Sequence, residues 1–488
     1  MSTRKIMTTE AGAPVDDNQH SQVAGPNGPS LLQDHHLLEK LARFSRERIP
    51  ERVVHAVGTG AYGHFEVTND SVAQWTKMAM FAGKGKRTDV FARFSTVAGG
   101  KGAADTVRDP RGFALKFYTE EGNWDLAGNN TPIFFIRDGI KFPDFIHSQK
   151  PDPHTKSQEP DNVWDFFSHS PEATHQFTWL FGDRGIPSSY RKMDGFGSHT
   201  FRWVNADGER FWVKFHFKTN QGIDCLTSEQ AEAIAGSDPQ ATHRELYDAI
   251  GRGEHPSWTL KVQVMPHAEA AQYRFNPFDV TKVWSHADYP LIEVGQLLLD
   301  RVPDNDFAEV EQSLFDPSAF VPGIGPSPDP MLQARLFAYG DAHRYRLGIN
   351  GTRLPVNMPK GVPGGPRNYG RDGAMRFDDN GGRSVNYEPN SHGGPRPTGM
   401  PAGLGYDVTG PVGPAGLPEH KEDDDFVQAG DLFRVMKPDE QARLIANIAG
   451  SLSQVSRPDV IDRSLMNFRN ADSSLGERLT AAIAALLE

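Results

Sequence analysis

Two periodicities divide the chain. Between about residues 55 and 300, apolar side chains recur at every second position. In RFWVKFHFK, Phe211, Val213, Phe215 and Phe217 alternate with Trp212, Lys214, His216 and Lys218, the pattern of a half-buried strand. GFALKFY repeats it with Phe113, Leu115 and Phe117, and WTLKVQV with Trp258, Leu260, Val262 and Val264. Asp207-Gly208 lies between two such runs and predicts a hairpin. Several hairpin-linked strands without regular intervening helices predict an antiparallel sheet closed into a barrel. From about residue 425 the period lengthens: Leu444, Ile448, Leu452 and Val455 fall on one helix face, and RLTAAIAALLE closes the chain with another amphipathic run.

Between these regions the pattern fails. Residues 351–420 hold 16 Gly and 11 Pro, a composition expected of irregular chain. Tyr369, Met375, Phe377, Tyr387 and Tyr406 are nevertheless scattered through it. Apolar anchors along a structureless segment predict that it wraps over a second surface, and so an oligomer. The first 30 residues are polar and read as a flexible arm. The organisation expected is an α+β chain: an N-terminal arm over 1–54, a barrel over 55–301, a wrapping segment over 302–420 and a helical domain over 421–488.

Composition narrows the function. A net charge of −12 argues against a nucleic-acid or anionic-membrane binder. The one cysteine, Cys225, excludes an internal disulfide framework, fits a reducing compartment and reads as core filler. No run of 18 apolar residues predicts a membrane span, and the N-terminus lacks the apolar stretch of a secretory signal. The expectation is a cytoplasmic protein acting on a small molecule.

One motif points elsewhere. HAVGTGAYGHF contains G-x-G-x-x-G at Gly58, Gly60 and Gly63, the spacing of a dinucleotide-binding turn. Its context fails: Pro50 interrupts the preceding run, HFEVTND alternates like a strand, and MAMFAG at 78–83 carries no acid for a ribose. Small residues here instead let the backbone pass close to something bulky.

The flanking residues suggest what that object is. FSRERIPERVVHAVGTG, with RLFAYGDAHRYRLG far downstream, resembles the two signature segments of the monofunctional haem catalases, and RFSTVAG, GNNTPIFFIRD, FIHSQK and NPFDVTKVW look like the same family. The resemblance covers nearly the whole chain and is to the small-subunit type. It implies an eight-stranded barrel, haem b, a homotetramer, and disproportionation of hydrogen peroxide through an oxoferryl intermediate, protecting against oxidative stress.

Local chemistry agrees at several positions. Asp329 can cap, and Pro330 begin, a helix that sets Arg335 and Tyr339 on one face. A guanidinium beside a phenol favours the phenolate, and tyrosine is the axial haem ligand of catalases. The resemblance implies that His199 and Asp329 back Arg335 in a proximal relay. On the other side His55 can move a proton between the two peroxide oxygens. The family assigns Asn129 to orient peroxide and Ser95 to bond the second His55 nitrogen; period 2 puts Arg93 and Ser95 on one strand face. Arg52, Arg93 and Arg346 match propionate-binding positions, Phe142 an aromatic stacked on the porphyrin, and Val54 and Phe134 pocket-lining positions. His175, Arg184, Lys218, Trp284 and His286 match the surface site at which some members bind NADPH. There, Gly182 replaces a usual Ser, and Asp194 a usual Asn, placing a carboxylate near the expected 2′-phosphate. Competing readings are a peroxidase-like enzyme acting on organic hydroperoxides, a non-catalytic haem-binding protein and, least supported, a nicotinamide dehydrogenase.

Overall fold

The computed structural model describes residues 5–363, 365–398, 413 and 424–488. The chain divides into two compact units, Met1–Glu51 and Arg52–Glu488. In the first, isolated bridges join Thr8 to Pro14 and Val23 to Ser30. A helix, α1 (His35–Phe44), follows; Asp34 caps it by accepting from the Leu37 amide. The sequence predicts only an arm over this stretch, so α1 departs from it.

In the second unit the alternating segments form strands β1 (Gly58–Val67), β2 (Arg87–Ser95), β3 (Gly112–Thr119), β4 (Gly122–Asn129), β5 (Gly195–Phe196), β6 (Phe201–Val204), β7 (Arg210–Thr219), β8 (Ser257–Pro266), β9 (Ile292–Arg301) and β10 (Ile324–Pro326). The sheet runs β7-β5-β4-β3-β2-β1-β9-β8, and a β7–β8 pairing closes it into an eight-stranded antiparallel barrel; β6 and β10 extend one side. The predicted hairpin joins β6 to β7, with Phe201 opposite Val213, and Gly208 supplies the positive φ that its turn requires. Phe65, Phe94, Phe113, Phe117, Phe215, Phe217 and Trp258 fill the barrel.

Strand β7 departs from the half-buried expectation. Trp212, Lys214 and His216, on its outer face, are as buried as the core residues between them. The cause is tertiary: the segment carrying Phe275, Phe278 and Trp284 folds over that face and packs on Trp212. Helices α2 (Phe142–Gln149), α3 (Pro160–Ser168) and α4 (Thr174–Phe181) follow β4, while α5 (Ser228–Ser237) and α6 (Ala241–Gly251) lie between β7 and β8. Helix α7 (Pro330–Leu347) follows β10, and α8 (Val427–Val435), α9 (Pro438–Leu452), α10 (Pro458–Ala471) and α11 (Ser473–Leu487) form the C-terminal layer. Leu444, Ile448 and Leu452 bury one face of α9 in a second core shared with Trp164, Phe167 and Phe177.

In the Gly/Pro-rich segment, Met375, Phe377 and Tyr387 are exposed, while Tyr369 is half-buried. Tyr406 lies outside the described residues. Among the described residues no helix is long and apolar enough to cross a membrane.

Candidate active site

Period 2 aims one face of each strand into the barrel and the other away from it. On β2, Phe94 is in the core, so Arg93 and Ser95 face outward. On β3 and β4 the outward positions include Gly112, Ala114 and Ala127, whose small side chains leave a depression. Helix α7 lies over it: Arg335 reaches the Ala127 carbonyl at 2.7 Å. Two adjoining cavities of about 140 and 180 Å³ result, and they share Val54, His55, Phe142, Ala338 and Tyr339 as lining.

Helix α7 begins as its sequence dictates. One Asp329 oxygen accepts the Met331 and Leu332 amides, and Pro330 occupies the first turn, where its missing N–H costs nothing. The other Asp329 oxygen meets His199 Nδ1 at 2.6 Å. His199 Nε2 accepts from Arg335 at 2.7 Å, and Arg335 donates to the Tyr339 phenol oxygen at 2.7 Å. Four side chains thus form one continuous chain of hydrogen bonds. Burial, with Arg335 and Lys214 nearby, holds His199 below the usual imidazole range, although Asp329 opposes them. A neutral His199 that donates through Nδ1 to Asp329 leaves Nε2 as the acceptor Arg335 needs.

His55 reaches the same cavities from the segment ahead of β1. Its backbone is left-handed, φ 66°, a conformation costly for a residue with a Cβ. The Arg93 guanidinium fixes it by donating to the His55 carbonyl at 2.9 Å. Nδ1 lies 3.0 Å from Ser95 Oγ. Burial, helped by Arg93, Arg335 and Arg52, pushes the His55 pKa down to about 3, so the ring is a neutral base at any working pH. Gly112 makes the pair possible: a Cβ there would lie 2.8 Å from His55 Nδ1 and closer still to Ser95 Oγ. Asn129, Phe134 and His199 line the same cavity, and Phe134 stacks on Phe142 with ring centroids 6.2 Å apart.

At the other end Arg52, Arg93 and Arg346 converge. Arg52 donates to the carbonyls of Val310, Glu311 and Ser313, and Arg346 to the Glu311 carboxylate at 2.8 Å. Burial lowers the pKa of all three, to about 10 for Arg93. Three guanidiniums gather around Glu311, with Asp306 also acting on Arg52 and Arg93, and Arg52 Nη1 and Arg93 Nε are buried without hydrogen-bond partners. Such a cluster calls for additional anionic oxygens. An apolar slot with a phenol on its wall and a cationic end fits a flat iron macrocycle bearing carboxylates. Among the described residues no cluster of His, Cys, Asp or Glu could hold a bare metal ion instead.

Sequence reasoning missed Glu311, His343, Gly112 and the alanine stripe. Ala334, Ala338 and Ala342 alternate with Arg335, Tyr339, His343 and Arg346 on the cavity face of α7. Their spacing at three and four residues was the available signal. The G-x-G-x-x-G stretch lies within β1, as its failed context required, but protein occupies the space above it. A Cβ on Gly58 would meet Arg93 and Phe94, on Gly60 the Phe91 ring, and on Gly63 the Leu298 backbone.

The positions matched to a nucleotide have protein partners in this structure. Arg184 and Lys218 both pair with Asp194, a nearly buried carboxylate, and His286 is exposed near His216. His175 bonds the Thr281 carbonyl and is buried, as is Trp284, which is 1% exposed. Cys225 is half-buried rather than core, and burial pushes its thiol up to about 11.

This barrel, with a phenol and an imidazole lining one slot, is the architecture of a haem peroxide-cleaving enzyme, and the comparisons narrow the class. The profile of the catalase family matches residues 8–394, and that of the catalase-related immune-responsive region matches 419–483. A catalase of Streptomyces coelicolor is 65% identical over all of both chains, and a bromoperoxidase-catalase of Streptomyces venezuelae is 62% identical over 99% of each. The crystal structure of a fungal catalase superimposes with a TM-score of 0.95 at 44% identity, covering 100% of this chain and 98% of its own; catalase A of Saccharomyces cerevisiae gives 0.94 at 44%, covering 98% and 99%. The chain belongs to the catalase family. It is an oxidoreductase that disproportionates hydrogen peroxide to water and dioxygen, and membership implies a haem cofactor.

Proposed function

We propose that haem b occupies the slot, with Tyr339 as its iron ligand and His55 as the proton carrier. The observation that carries this is that both rings line both cavities while reaching them from different elements. Arg335 steadies the phenolate oxygen, and His199 and Asp329 steady Arg335. Arg52, Arg93 and Arg346 receive the propionates, Phe142 covers the ring face, and Val54 and Phe134 narrow the approach so that bulky donors are excluded. When bound, the haem supplies the two-electron redox chemistry that reduces one peroxide and oxidises the next. The chain's part is proton handling. His55 Nε2 takes a proton from one peroxide oxygen and returns it to the other, with Ser95 holding Nδ1 and the Asn129 amide orienting the O–O bond. His55→Ala should retain haem and lose turnover; near-normal oxygen evolution by that variant would overturn the assignment. Oxygen release from peroxide alone, without an added reductant, also separates this reading from a peroxidase acting on organic hydroperoxides.

A homotetramer is proposed because Met375, Phe377 and Tyr387 present apolar surface along an irregular segment, where a partner would cover it. Sedimentation equilibrium at four chain masses is the expected result. The single cysteine supports a reducing compartment, the cytoplasm, as location. NADPH at His175, Arg184, Lys218, Trp284 and His286 is proposed with a stated obstacle: a 2′-phosphate must compete with Asp194 for Arg184 and Lys218. Equilibrium dialysis that retains no NADPH would remove it.

A further inference from the structure

Three lysines are buried among the described residues, and one lacks a counter-ion. Lys116 pairs with Asp125 at 2.7 Å and Lys282 with Asp279 at 2.8 Å. Lys214, 5% exposed, makes no carboxylate pair within 4.0 Å. Its ammonium donates to the Ser198 carbonyl at 2.9 Å and sits 5.6 Å from the Trp284 ring centroid. Leaving an ammonium there is costly unless its charge serves something nearby.

What lies nearby is the proximal relay. Ser198 directly precedes His199 and is itself held in the left-handed region, φ 60°, with its hydroxyl donating to the Thr131 carbonyl at 2.8 Å. The charged groups acting on His199 are Asp329 at the start of α7, Arg335 one turn into α7, and Lys214 on β7. Lys214 feels Asp329 and Asp279 in turn; Lys282 and Arg137 already pair with Asp279. Among the described residues the ion pair of Asp329 is with His199.

We propose that Lys214 is a positioning residue of the proximal relay: its ammonium clamps the strained Ser198 carbonyl and its buried charge keeps His199 neutral. The proposal rests on the reading of Tyr339 as the haem ligand. The logic is one of donors and acceptors. Arg335 can only donate, so His199 Nε2 must carry a lone pair to accept from it. If the His199–Asp329 pair takes up a proton, Nε2–H points at a guanidinium N–H, the contact breaks, and Arg335 shifts on the phenol oxygen. The Lys214 charge, held on the carbonyl of the residue before His199, opposes that proton uptake. Burial lowers the Lys214 pKa to about 8, so the ammonium carries its charge at pH values below that.

The test uses the haem-loaded enzyme and reads its ferric absorption spectrum against pH. Lys214→Met removes charge and clamp, Lys214→Gln keeps a donor for Ser198 without charge, and Lys214→Arg keeps charge. The wild-type spectrum should be flat from pH 8 down to 5. Both uncharged variants should develop a reversible spectral transition within that range, and Lys214→Arg should behave as wild type. A transition in Met but not in Gln would assign the role to the clamp alone and overturn the charge argument. Flat spectra in both, or failure of both to fold while Lys214→Arg folds, would make Lys214 structural and overturn the proposal. The reading beneath it is checked separately: if Tyr339→Phe leaves the wild-type ferric spectrum unchanged, the ligand assignment fails whatever the Lys214 variants do.

Discussion

Gly112→Ala isolates the geometry of the acid–base pair from the fold that carries it. Gly112 opens β3, opposite Ser95 on β2 and Asn129 on β4, and its φ is not in the left-handed region, so alanine meets no backbone strain. The added methyl, however, would lie 2.8 Å from His55 Nδ1 and closer still to Ser95 Oγ. Carbon in ordinary contact stands at about 3.5 Å or more, so the ring must retreat by roughly 0.7 Å or Ser95 must turn away. The backbone cannot follow, because Arg93 holds the His55 carbonyl and the Val97 carbonyl accepts the His55 amide. A displacement approaching 1 Å of a group that must meet both peroxide oxygens costs about 100-fold in rate. Stability should change by less than about 1 kcal/mol, since glycine in a strand is itself unfavourable. Initial oxygen evolution, haem content per chain and melting temperature would be measured together. The expected result is a fall of about 100-fold in kcat at full haem occupancy and near-native melting temperature. Wild-type turnover at full occupancy would show that the His55–Ser95 contact is not required, and would refute the reasoning.

Four further outcomes follow from the same contacts. Tyr339→Phe removes the phenol oxygen that Arg335 engages and should yield folded chain without stably bound haem, read as the Soret-to-280 nm ratio after gel filtration. Arg335→Leu should keep haem yet alter its ferric spectrum, because nothing then donates to the phenol oxygen. The folded-state pKa of His55, about 3, lies below the ordinary 6.5, so the neutral base persists down to about pH 3 and is lost only below it; kcat/KM should show no His55 limb near pH 6.5. His216, also pushed down to about 3 by burial with Lys214 and Lys218 nearby, gives stability that is complete above pH 6.5 and lost as pH falls toward 3. On going from pH 8 to 5, wild type should therefore lose about 2 kcal/mol more than His216→Gln in denaturant unfolding.

Sequence alone determined whatever depends on near neighbours. Asp329, Pro330, Arg335 and Tyr339 lie within eleven residues, so capping rules and a 3.6-residue period suffice to start the helix and set guanidinium beside phenol. Alternation placed Arg93 and Ser95 on one face of β2, and a strand-like context was enough to reject the dinucleotide reading of Gly58–Gly63, which the structure puts inside β1. Tertiary structure decided the rest, because it concerns which distant surfaces meet. Ser95 reaches His55 only because Gly112, brought beside Ser95 by strand register, has no side chain. The period-2 pattern of β7 read as half-exposed, yet residues 275–284 cover its outer face and turn Lys214 and His216 into buried groups. Glu311 becomes a counter-ion by converging with two arginines at 52 and 346. A local pattern records what a residue can present; burial, and with it the charge state of His55, His199 and Lys214, depends on what the rest of the chain lays over it.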